Sequence, residues 1–94
     1  MDIKIVKSVI EEILKNCDTF DSHVFIREFI KTQPSSYGRM MIEYEDVTVT
    51  HSVIANFLLN NANKLGIERL KDDSISSDIF DIETPCAEWK TITK

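Results

Sequence analysis

The chain has 94 residues and a mass of 10.8 kDa, 43% of them hydrophobic and 29% charged, which is one domain's worth of sequence with the composition of a folded globule. Two glycines and two prolines exclude collagen-like and linker-rich chains, and apolar runs no longer than Val24-Phe25-Ile26 or Phe57-Leu58-Leu59 exclude a membrane span. Eleven Lys and Arg against sixteen Asp and Glu leave a net charge of −5, the reverse of the balance that neutralises phosphates, so nucleic-acid binding is disfavoured.

The opening Met1-Asp2-Ile3-Lys4 has no basic stretch leading into an apolar one, so the expected location is cytoplasmic. From Asp2 to Asn16, Ile3, Val6, Ile10, Ile13 and Leu14, then Cys17, recur at steps of three and four, which predicts an amphipathic helix. Asn16 to Thr19 break the period. Thr19 or Asp21 then caps a second helix from about Ser22 to Gln33, with Phe20 as a hydrophobic staple, Val24, Phe25, Phe29 and Ile30 as its buried stripe and Pro34 as its stop. Residues 35–50 read as a short helix followed by a turn or brief strand, because Val47-Thr48-Val49-Thr50 is β-branched throughout. Thr50 or Ser52 is then expected to cap a third long helix over 52–65, whose stripe is Val53, Ile54, Phe57, Leu58, Ala62 and Leu65 and whose end is marked by Gly66.

Past Gly66 the helical period disappears. Ile67–Lys71, Ile79–Ile82 and Trp89–Thr93 are compatible with strands, while Asp72-Asp73-Ser74 and Glu83-Thr84-Pro85 read as turns. The prediction is a single α+β domain, mainly helical, with a three-helix core over 1–65 and an acidic C-terminal hairpin or small sheet over 66–94.

That element order resembles the winged-helix arrangement, a likeness of layout with no diagnostic motif. The resemblance implies that 52–65 stands in the place of the recognition helix and that about 68–93 forms the wing.

The chain carries almost no pattern of catalytic residues. Two glycines cannot cradle a phosphate, no G-x-S-x-G surrounds Ser35, Ser36 or Ser52, and neither cysteine has a histidine beside it in sequence, so a non-enzymatic protein is expected. Cys17 and Cys86 lie 69 positions apart and read as free thiols or small buried hydrophobes. A zinc set of Cys17, His23, His51 and Cys86 has no local ligand pair to support it, and no metal or cofactor is expected.

Two features point to an interaction. Asparagines at 56, 60, 61 and 63 crowd one helix, although Asn costs roughly 0.6 kcal/mol relative to Ala at each interior helical position. Spaced four, four and three apart, Ser52, Asn56, Asn60 and Asn63, with Lys64 beside them, form a polar ridge opposite Ile54, Leu58 and Leu65. The second feature is the acidic C-terminal segment, where Asp72, Asp73, Asp78 and Asp81 would steer a basic partner. The expected function is therefore a small interaction module whose partner is a protein or a second copy of itself, the latter through Tyr37, Met40, Met41 and Tyr44. The alternative is a DNA-binding regulator that gathers Lys4, Lys7, Arg27, Lys31, Arg39 and Lys64 on one side, with Asn reading adenine edges.

Overall fold

Asp2, with extended backbone, accepts the Lys4 N–H at 2.8 Å and so starts α1 (Ile3–Leu14) in the computed structural model, which describes residues 1–92 and all of their side chains except those of 71–74. Val6, Val9, Ile10 and Ile13 are its buried stripe. Cys17, expected to extend that stripe, is instead exposed, because the helix ends at Leu14 and the chain turns into a short strand, β1 (Thr19–Asp21). Asp21 closes that strand and caps α2 (Ser22–Thr32) by accepting the Val24 N–H at 2.9 Å. Phe20 is buried beside it, while Phe25, Ile26 and Phe29 form the core face of α2.

The segment 34–50 is helical almost throughout, with no strand. Pro34 stands in the first turn of α3 (Pro34–Tyr44), and Glu45 ends that helix in the left-handed conformation, at φ 57°. Asp46 then caps α4 (Val47–Asn60) by accepting the Val49 N–H at 3.0 Å. The helix expected over 52–65 thus starts five residues earlier, with Asp46 as its cap in place of Thr50 or Ser52. Thr50 lies fully buried inside it, its hydroxyl donating to the Asp46 carbonyl oxygen at 2.8 Å. The same helix also stops earlier. Asn61 adopts a non-helical φ of −120° and its side-chain amide donates to the Phe57 carbonyl oxygen at 2.9 Å, so Ala62–Leu65 is a separate turn, α5. Gly66 terminates it at φ 72°, where any side chain would be strained.

Two strands follow, β2 (Ile67–Ser77) and β3 (Glu83–Thr91), and with β1 they form an antiparallel sheet in the order β1-β3-β2. The hairpin is present, but its turn is 78–82. Asp72-Asp73-Ser74 lies within β2, where the register shifts twice against β3, and Glu83-Thr84-Pro85 lies within β3. The helices and the sheet close on one core, in which Phe25, Phe29, Ile54, Leu58, Ile67 and Trp89 are almost completely buried. Full burial of a side chain such as Phe25 or Leu58 stabilises by about 2–3 kcal/mol. Met40 belongs to this core, and Tyr37 and Tyr44 pack against it, so most of the proposed self-association segment is already engaged within the chain.

Candidate functional site

An open cleft of about 680 Å3 lies between α2, α4 and the hairpin. Alternation brings Thr84 and Cys86 to the same face of β3, and the pairing of Ser76 with Thr84 adds the Ser76 hydroxyl to it. The cap at Asp21 fixes where α2 begins and so turns His23, two residues on, toward that face. The His23 ring is held on both sides: Nδ1 lies 2.6 Å from Ser76 Oγ and 3.5 Å from Cys86 Sγ, and Nε2 lies 3.0 Å from Thr84 Oγ1. With the ring proton on Nε2, Thr84 accepts it, and the Ser76 hydroxyl donates to Nδ1. A carboxylate oxygen of Asp21, His23 and Cys86 then lie within 4.8 Å of one another, all three residues half-buried.

Below this cluster, Ser22 connects the helix to the sheet. Its hydroxyl accepts from Trp89 Nε1 at 3.4 Å and donates to the Ala87 carbonyl oxygen at 3.5 Å. The Arg69 guanidinium sits 5.8 Å from the Trp89 ring centroid, within cation–π range.

The far wall is α4. His51 Nε2 lies 2.7 Å from the Tyr37 hydroxyl, and the two rings pack at 5.8 Å. Burial lowers the pKa of His51 from its ordinary value; the Asp78 carboxylate opposes that shift and His23 reinforces it. Burial likewise raises the pKa of Tyr37 above its ordinary value.

The third wall is the hairpin turn, which Asp78 organises. Its Oδ1 accepts the backbone N–H of Phe80 at 2.8 Å and of Ile82 at 3.1 Å, and these bonds, that to Ile82 first, lower its pKa below the usual carboxylate value. Asp81 completes the turn with a left-handed φ of 64°. Arg27 reaches across from α2 and donates to the Ser77 and Asp78 carbonyl oxygens at 2.6 and 2.8 Å, tying the turn to the helix. The turn so held presents Phe80 and Ile82, 56% and 57% exposed, to the cleft, with Leu59 of α4, 44% exposed, also in its wall.

The residues expected to interact divide between this cleft and other places. Ser52 and Asn56 line it; Asn60 is exposed near the end of α4, and Asn63 and Lys64 are exposed on α5, so the ridge is interrupted where Asn61 breaks the helix. Asp78 lines the cleft too, yet its carboxylate is engaged within the turn, and Asp81 is exposed beside it. Asp72 and Asp73 fall in the backbone of β2, and their side chains lie outside the described residues. Of Cys17, His23, His51 and Cys86, only His23 and Cys86 come together, at 3.5 Å; Cys17 lies at a separate depression with Leu14 and Thr91, and the ring of His51 bonds Tyr37. The residue missed is Asp21, whose cap role was legible but whose neighbour Cys86 was not, since 65 positions separate them. The signal that existed was Thr84-Pro85-Cys86, two polar side chains at the spacing that shares one strand face.

Among the described residues, no helix is long and apolar enough to cross a membrane. Comparison of the chain with family models, with curated proteins and with solved structures finds no match.

Proposed function

We propose that this protein is a non-enzymatic interaction module whose cleft between α4 and the hairpin turn receives a segment of a partner protein bearing both apolar and basic side chains. The observation that carries this reading is the convergence of Leu59, Phe80 and Ile82, three large and exposed apolar side chains, on a single cleft. Apolar groups left in water at one concave place lose hydration cost when a partner covers them. Ser52 and Asn56, on the same α4 wall as Leu59, offer the polar contacts that fix orientation. The basic character of the partner follows from charge: Asp78, Asp81 and Glu83 flank Phe80 and Ile82, and the whole chain carries −5.

The test is capture of partners from lysate with and without nuclease treatment at about 0.15 M salt, where charges are felt over ~8 Å. The chain carrying Phe80→Ser with Ile82→Ser, two exposed positions, is expected to keep its circular dichroism and to retain a stoichiometric protein at least about tenfold less well. Equal retention by the double variant, or material that disappears on nuclease treatment, would refute this reading; the second result would favour the DNA-binding alternative.

A further inference from the structure

We propose that Asp21, His23 and Cys86 form a binding site for a divalent transition metal, best matched by Zn2+, in the floor of the cleft, with its remaining coordination position open to the cleft. The inference is independent of whether a partner docks above it.

The donor set is one carboxylate oxygen, one imidazole nitrogen and one sulfur, which suits zinc and does not suit Mg2+ or Ca2+. The spacing is also apt. Zn–S of about 2.3 Å and Zn–N of about 2.0–2.1 Å at a tetrahedral angle place the two donors about 3.5 Å apart. Cys86 Sγ and His23 Nδ1 stand 3.5 Å apart. All three donors fall within 4.8 Å, so drawing in the carboxylate requires a movement on the order of 1 Å against the tetrahedral edge implied by those bond lengths.

The outer partners are present as well. Thr84 Oγ1 lies 3.0 Å from Nε2, placed to accept the ring proton when Nδ1 turns its lone pair toward Cys86, which is the tautomer a metal-bound imidazole needs. Asp21 Oδ1 accepts the Val24 N–H at 2.9 Å, which fixes the position of the carboxylate beside His23 and Cys86. On binding, the metal replaces the Ser76 hydroxyl at Nδ1, the Cys86 thiol releases its proton to solvent, and thiolate and carboxylate together offset the 2+ charge. No oxidation accompanies these steps.

Titration of the full chain with Co2+ tests the site. The expected result is saturation at one equivalent, with a thiolate-to-cobalt charge-transfer band in the near ultraviolet and the intense visible absorption of four-coordinate cobalt, both bleached by Zn2+. Cys86→Ser should remove the charge-transfer band and Cys17→Ser should leave it intact. Thr84→Val retains all three ligands and should weaken Zn2+ about 10–100-fold. Asp21→Asn retains the cap while removing a charged ligand, so its loss of affinity would not reflect loss of the helix start. Absence of the band, a band that follows Cys17, or an affinity indifferent to both Asp21→Asn and Thr84→Val would overturn the site.

Discussion

At the scale of single residues, His51 is one point where pH acts on this fold. Burial disfavours its charged form, so its folded pKa lies below the ordinary 6.5. Between those two values the unfolded chain binds more protons than the folded one. The stability this residue contributes is therefore fully present above about pH 6.5 and is lost as pH falls through the folded pKa. Urea midpoints should accordingly drop between pH 7.5 and pH 5, and His51→Gln should flatten that part of the profile. A midpoint that rises on acidification would show that the Asp78 carboxylate outweighs burial. Tyr37→Phe, which removes the hydrogen-bond partner of Nε2, should cost about 1 kcal/mol at neutral pH. None of this was legible in the sequence, where His51 is one polar residue in a helical run and Tyr37 stands fourteen positions away.

Among the elements, the hairpin turn carries the most consequence, because a five-residue connection with no glycine presents Phe80 and Ile82. Asp78 replaces the missing flexibility with two bonds from its carboxylate, and Arg27 secures the turn from outside. Asp78→Ala should therefore speed amide hydrogen exchange at Phe80 and Ile82 while leaving α1 and α2 protected; unchanged exchange at those two amides would contradict this role. Since the folded pKa of Asp78 lies below 3.8, the same loosening should set in on acidification only as pH falls through that lowered value. The helices with strong period were readable from their apolar spacing: Val6, Ile10 and Ile13, then Phe25 and Phe29, are buried as expected. Elements governed by competing local preferences were misplaced. Val47-Thr48-Val49-Thr50 favours strand by composition, but the Asp46 cap and the burial of Thr50 draw it into a helix. The hairpin was anticipated and its register was not, because the two shifts in β2 carry Asp72-Asp73-Ser74, a turn by composition, into the strand.

At the scale of the whole molecule, sites form where distant segments meet. β1 has three residues, too few for any alternation to reveal it, yet its pairing with β3 sets Asp21 across from Glu88 and brings the start of α2 against Cys86. That single pairing builds the metal-ligand set and the floor of the cleft, and it lies outside what spacing along the chain records. The overall charge is legible in the sequence, and under the proposed function it favours a basic partner. In the proposed reading the charge acts at an apolar cleft flanked by carboxylates, which Ser52 and Asn56 line and from which Asn60, Asn63 and Lys64 are set apart.

The most direct measurement places a photo-crosslinking side chain at Phe80 in the cleft and, in a separate chain, at Ile42, which is 79% exposed on α3 and outside the cleft. Both are irradiated in nuclease-treated lysate. A discrete protein adduct from position 80 that is absent from position 42 is the result predicted here. An adduct from position 42 with none from position 80, or equal yields from both, would contradict the cleft as the interaction site.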